Sequence, residues 1–467
     1  MQIDPSLTPA DLTAACRQVL QLGADKARLI DRTWDTAKGT PVFTIKGRYA
    51  TRGWTEWTQG FQYGCMILAG DGLGDDELIA IGRQRTVDHM LPHVTHTGVH
   101  DHGFNNLSTY GNLLRLHREG RLGDNAWEAR YYEQLIAASG AVQAARWSGT
   151  AGAPDDPHAA HAESLGYIYS FNGPHSLFID TMRTIRILGV AHQLGHSLMH
   201  EGDRSANLLK RLVLHALTTS RTIVFHGDSS HTYDIAGRTA HEGMFNRNDG
   251  AFRARSTQQG YSPFSTWTRG LAWAMLGYAE ELEFFQTIDD QAFQDATGLE
   301  KNKVVDVFLR CARETCDHYI DDVSAADGIT YWDDGAPGMA ALGDWRSRPA
   351  EPVNDHEPVD ASASAIAAQG LIRLGNVLGD GEGDRYRSAG YSVARTLFDE
   401  PYLATDPKHQ GLLLHSIYHW PNHWDHVPAG AKVSYGESSL WGDYHLLELS
   451  LLIQRMATDQ PYLKFFL

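Results

Sequence analysis

Cysteine is scarce in this chain of 467 residues: Cys16, Cys65, Cys311 and Cys316, with no C-x-x-C pair among them. So thin a set excludes a disulfide framework and reads as buried thiols of a cytoplasmic protein. Basic charge is also short. Lys and Arg total 40 against 57 Asp and Glu, a net charge of −17, which leaves no basic stripe for nucleic acid. No run approaches the roughly 20 apolar residues that cross a bilayer, so no membrane partner is expected. The opening "MQIDPSLTPADLTAACRQVL" lacks a basic stretch followed by an apolar one and does not look like a secretion signal; Thr8-Pro9 reads as a helix start. No linker rich in Pro, Gly or Ser divides the chain. Strand-like alternation is confined to short pieces such as "TIVFHGD" and "SHTYDI".

What is present is helical periodicity. Apolar residues recur at i, i+3, i+4 or i+7 from "DLTAACRQVLQLGADKARLIDRTW" to "WGDYHLLELSLLIQRM", and one such segment is "HSLFIDTMRTIRILGVAHQLGHSLMH". The pattern gives eleven or twelve helices, joined by alternating short and long connections. The long ones lie at 229–262, 322–359 and 401–438, and unstructured loops of that length inside a compact domain are often functional. The arrangement predicts one all-α domain over residues 1–467, an (α/α)6 barrel of six helical hairpins. A helical solenoid fits the unequal loops poorly.

Two aspartates stand out. Asp101 lies in "GVHDHGFNN" between His100 and His102, which reads alone as a metal site, a catalytic acid or a polar loop. Asp180 lies in the apolar context "SLFIDTMRTIRIL". A carboxyl buried there, with a second carboxyl nearby, has its pKa raised and serves as a general acid; the plain alternative is a salt bridge to Arg183 or Arg186. The stretch "QGYSPFSTWTRGLAW" puts Trp267 and Arg269 on the first turns of a helix, where they suit a sugar face and a carboxylate, or else form an ordinary capped start. "HQLGHSLMH" sets His192, His196 and His200 along one predicted helix face, but H-E-x-x-H is absent and no metal or cofactor is expected. "HSIYHWPNHWDH" (415–426) reads either as a cleft entrance or as a packed loop. Asp360 reads as the N-cap of "DASASAIAA", with Ser362 and Ser364 looking toward the cleft.

Seven motifs occur in order between about residues 50 and 455: "EWTQGF", "HDHGF", "IDTMR", "SSHTYD", "QGYSPFSTWTRGLAW", "DASASAIAA" and "WGDYHLLELSLLI". Together they resemble the unsaturated glucuronyl hydrolases, glycoside hydrolase family 88, and the related unsaturated rhamnogalacturonyl hydrolases of family 105. The resemblance implies a barrel with long loops around a cleft at one end. It implies a uronic-acid-containing oligosaccharide, left by a polysaccharide lyase, as the partner. The reaction it implies is hydration of the terminal C4=C5 enol ether. By motif, Asp180 matches the acid/base and Asp101 the second essential aspartate. Trp57, His231, Gln259, Trp267 and Arg269 match residues around the uronate, and His100 reads as a supporting residue. His102 departs from the family, which has an apolar residue there. The small-residue loop 148–163 looks like an insertion, and "GYIYSFNGPHS" before Asp180 offers only tyrosine or phenylalanine as its aromatic. Two other readings are an exo-acting glucuronidase on saturated glucuronides and a non-catalytic sugar-binding barrel; a metal-dependent hydrolase is a third.

Overall fold

The structure is a computed structural model that describes residues 1–52, 56–151 and 165–467. Helices alternate between two roles along the chain. Thr13–Thr33, Asp76–His89, Ala126–Ala145, Lys301–His318 and Asp384–Leu397 keep one exposed face, and Leu208–Thr222 of the same layer is buried except at Lys210, Arg211 and Arg221. Each is followed by a more buried partner: Gln59–Leu73; the run His102–Asn106, Leu107–Gly111 and Asn112–Arg118; the pair Thr181–Thr184 and Arg186–Gln193; Thr268–Phe285; Ala361–Leu378; and Leu440–Ala457. The buried partners touch their neighbours in order, and Leu440–Ala457 closes the ring against Gln59–Leu73. One continuous apolar core fills the space within and between the two layers. All four cysteines are buried free thiols. Among the described residues, no helix is long and apolar enough to cross a membrane.

Some expectations need correcting. The Gln59–Leu73 helix has no readable stripe because nearly every residue in it is buried; a helix apolar on all sides loses its 3.6-residue signature. The segment "HSLFIDTMRTIRILGVAHQLGHSLMH" is not one helix. Ser176–Phe178 is a strand, the helical part ends at Gln193, and Gly195 turns the chain with φ 75° into the strand Ser197–Met199. His192, His196 and His200 therefore share no helix face. "TIVFHGD" and "SHTYDI" are not strands either: Val224 makes a single bridge to Thr239. Strand pairing runs through small sheets in the connections, chiefly Ser176–Phe178, Glu242–Phe245 and Phe252–Ser256 side by side. The inserted loop expected at 148–163 falls mostly on residues 152–164, outside the described residues.

Candidate active site

The buried helices all begin at the same end of the ring, and a cleft of about 480 Å³ opens there. Asp101 immediately precedes its helix at His102, and Asp180 precedes its helix at Thr181. What brings the two together is Gly103: a Cβ there would overlap the carbonyl oxygen of Thr184. The two helix starts approach backbone to backbone, which only glycine permits. Gly60 does the same against the Asn105 carbonyl, seating Trp57 beside Phe104.

His100 joins the two carboxyls. Its Nε2 donates to Asp180 Oδ1 at 2.9 Å and lies 3.8 Å from Asp101 Oδ1. Its ring is buried, edge-on to Phe178 at 5.7 Å and stacked on Phe171 at 6.4 Å. Burial is the largest influence on Asp101 and, with the charge of Asp180, holds its carboxyl above the ordinary range. Burial pushes Asp180 the same way, but the charge and hydrogen bond of His100, with His241 and Arg269 beyond, outweigh it and hold Asp180 low. Burial opposes a charge on His100, yet the two aspartates raise its pKa above the usual value. The trio thus favours a proton on His100 over one on Asp180. The expected alternative, Asp180 paired with Arg183 or Arg186, does not occur: Arg183 binds Glu280 at 2.7 Å and Glu448 at 2.6 Å, and Arg186 binds Glu280 at 3.4 Å.

Aromatic rings make the walls. Trp57 stacks on Trp441 with centroids 5.0 Å apart and lines the cleft with Trp267 and Trp273. Phe171 and Phe178 supply the side where the sequence offered no tryptophan. The 415–426 loop contributes Tyr418, His419 and Trp424, as the entrance reading required. Asp425 holds it in shape by accepting from the Tyr418 and His419 amides at 2.5 and 2.9 Å.

Other residues differ from expectation. Arg269 lines the cleft but is buried, not a free rim cation. Its Nη1 bonds Asp360 Oδ2 at 2.6 Å and the Ile417 carbonyl, and its Nη2 bonds Gln259 Oε1 at 2.9 Å and the Tyr418 carbonyl at 2.7 Å. It ties the entrance loop to the cleft floor and orients Gln259. His231 is outside the cleft, exposed and stacked on Tyr233 at 5.0 Å. Asp360 caps its helix by accepting from Ser362 N at 3.1 Å. Ser362 and Ser364 are fully buried: Ser362 bonds Asp360 and Trp441, and Ser364 bonds Thr330. His102 turns away from the cleft. Its Nδ1 meets Ser139 Oγ at 2.7 Å and its Nε2 the His96 carbonyl at 3.0 Å, and burial lowers its pKa to about 3. The departure at this position is therefore a strut in the outer wall rather than part of the cleft surface.

His241 was missed. It lies behind the cleft wall, 4.4 Å from Phe178 and 4.8 Å from Trp267 ring to ring, and accepts from the Gln258 amide at 3.0 Å. Burial holds it neutral, with a pKa of about 3, facing Asp180. Only the pairing of Phe178 with Glu242 across the small sheet brings it there. Among the described residues, no group of His, Cys, Asp or Glu is arranged to hold a metal ion.

No family model matches the chain. It is 26% identical over 455 residues to the unsaturated chondroitin disaccharide hydrolase of Streptococcus pyogenes serotype M1, covering 95% of this chain and 92% of that protein. It is also 26% identical over 422 residues to the unsaturated glucuronyl hydrolase of Bacillus sp. (strain GL1), covering 89% and 90%. The solved structure of the unsaturated glucuronyl hydrolase of Bacillus sp. GL1 superposes with a TM-score of 0.67 at 21% identity, over 95% of this chain and 98% of that one. The kinship drawn from seven ordered motifs is thus found again over whole chains, and the solved neighbour shares the helical barrel.

Proposed function

We propose that this protein, akin to the unsaturated glucuronyl hydrolases over nearly its whole length, is a glycoside hydrolase that releases a terminal 4,5-unsaturated uronic acid from lyase-generated oligosaccharides. The observation that carries the reading is the His100–Asp180 pair beside Asp101, in an aromatic cleft at the starts of the buried helices. The positive ends of those helix dipoles favour a carboxylate in the cleft, which matters for a chain of net charge −17. Flat rings lining the cleft suit a sugar ring flattened about its double bond.

In this reading the proton held by the pair passes through Asp180 to C4 of the enol ether. Positive charge develops at C5 and the ring oxygen, next to the carboxylate of Asp101. Water adds at C5 and gives its proton back to Asp180, which restores the pair. The hemiketal at C5 then opens, and the resulting hemiacetal at C1 collapses and expels the aglycone alcohol. Asp101 and Asp180 gather at one imidazole nitrogen instead of flanking a glycosidic bond from opposite sides, which favours hydration over displacement at the anomeric carbon. His100, His241 and Arg269 hold the Asp180 pKa low, so the acid step depends on the substrate: an entering uronate carboxylate adds negative charge and excludes water, and both raise the Asp180 pKa. The whole chain acts as one catalytic domain, and its buried free thiols suit a cytoplasmic location.

The test offers the protein a panel of lyase-generated unsaturated disaccharides and their saturated glucuronide counterparts, with products separated by chromatography. Aglycone release from unsaturated substrates alone is expected. Release from saturated glucuronides alone makes the protein an exo-acting glucuronidase, and binding without release makes it a sugar-binding barrel.

A further inference from the structure

Two connections outside the cleft carry exposed rings that the chemistry above does not use. The loop from Gln259 to Trp267 leaves the cleft wall and returns to it, and between those residues stand Tyr261, 53% exposed, and Phe264, 45% exposed. Phe264 packs on Tyr233 with centroids 4.6 Å apart, and Tyr233 stacks on His231 at 5.0 Å with the planes only 9° apart. The rings form a ladder that starts beside the cleft. Tyr261 is two residues from Gln259 and Phe264 three from Trp267, so both stand within roughly 10 Å of the lining backbone.

The loops that carry these rings are tied together by side-chain hydrogen bonds to their backbone. The Tyr261 amide donates to Asp333 Oδ2 at 2.8 Å, and the Thr266 amide to Asp334 Oδ1 at 2.6 Å. Arg238 bridges the two loops, donating to Asp334 Oδ2 at 3.2 Å and to the Tyr233 carbonyl at 3.1 Å. Exposed apolar rings on a mobile loop need no explanation, but rings carried on a backbone tied down by carboxylates beside a sugar cleft form a preorganised surface. Two other exposed aromatics, Trp127 and Tyr131, lie on an outer helix with nothing beside them that names a ligand.

We propose that His231, Tyr233, Tyr261 and Phe264 form an outer subsite that binds the pyranose units beyond the one attached to the departing uronate, by stacking sugar C–H faces on the rings. The inference rests on the glycosidase reading and adds a preference for longer chains. The flat, sequence-tolerant character of ring stacking predicts that this subsite senses length more than linkage.

The test compares kcat/KM for an unsaturated disaccharide and an unsaturated tetrasaccharide from the same polymer, in the wild type, Phe264→Ala and Tyr261→Ala. The wild type is expected to favour the tetrasaccharide, and each substitution to cut the tetrasaccharide-to-disaccharide ratio by about three- to tenfold. An unchanged ratio overturns the inference while leaving the glycosidase reading in place. Calorimetric binding of the tetrasaccharide to Asp180→Asn and to Asp180→Asn/Phe264→Ala gives a readout independent of turnover. Weaker binding by the double variant supports the subsite even if no bond is cleaved, and equal binding, or none by either, overturns it.

Discussion

The cleft and the barrel interior below it both bury charge, yet they resolve it in opposite ways. In the interior, Arg183, Arg186 and Arg373 face Glu280, Glu283 and Glu448 in short pairs, with Tyr462 OH donating to Glu283 at 2.6 Å. There the charges are locked by partners and packing. Glu281 is the exception: both its oxygens are buried with no hydrogen-bond partner among the described residues, and burial holds it well above the carboxyl range, as a neutral acid. In the cleft, two carboxyls share one imidazole beside open space, and Arg269 is committed to Asp360. Asp180 and Arg183 are three residues apart and belong one to each region. Buried charge paired directly with opposite charge serves stability, whereas buried charge left under-matched beside a cavity is available for chemistry.

That contrast can be broken from either side. The largest effect is expected from Asp180→Asn, which removes the group that delivers and recovers the proton: kcat/KM should fall by about 10³–10⁴, while denaturant stability falls only by what the lost His100–Asp180 pair contributed. Steady-state kinetics and urea unfolding on the same preparation check both halves. Arg183→Met should invert the pattern. It strands Glu280 and Glu448 without their cation and should cost about 3–5 kcal/mol of stability in urea unfolding. If it abolishes activity without loss of stability, the division between the two regions is wrong.

His100→Gln sharpens the comparison through pH. In the wild type the pair keeps its proton until pH rises through the raised His100 pKa, so kcat/KM should decline along that limb. Without the imidazole, the proton resides on a carboxyl alone and the basic limb should move toward lower pH. Stability carries the matching signs. The raised His100 stabilises the fold below its ordinary pKa, and this is lost as pH rises through the folded value. The depressed Asp180 stabilises above its ordinary pKa, and this is lost as pH falls through the folded value. His100→Gln should flatten both slopes. The smallest effect is expected from His102→Ala, which removes the imidazole that Ser139 and the His96 carbonyl share, though Ser139 still accepts from Asn106. It should cost about 1–3 kcal/mol while kcat/KM changes by less than about twofold.

The helical ring was legible chiefly from four strongly amphipathic outer helices, Thr13–Thr33, Leu208–Thr222, Lys301–His318 and Asp384–Leu397. The sequence failed where amphipathy fails: Gln59–Leu73 is apolar all round, and the buried strand Ser176–Phe178 runs into a helix with no change of composition. The two aspartates were legible from their motifs. Their electrostatics were not, because the opposite shifts of Asp101 and Asp180 depend on a histidine whose ring nitrogen reaches across 80 positions. The exchange of His231 for His241 has a similar origin. Both are histidines in one polar connection, and only cross-strand pairing with Phe178 decides which one lies behind the cleft. Arg269 read as a rim residue because its partners, Asp360 and the 417–418 carbonyls, come from loops far along the chain.

The central claim is that the double bond is hydrated before the aglycone leaves. The direct measurement follows the ultraviolet absorbance of the conjugated C4=C5 bond and the appearance of free aglycone in one reaction with an unsaturated uronyl disaccharide. Hydration predicts that the absorbance disappears at least as fast as aglycone appears, and that both stop in Asp180→Asn. Aglycone released while the absorbance persists would contradict it.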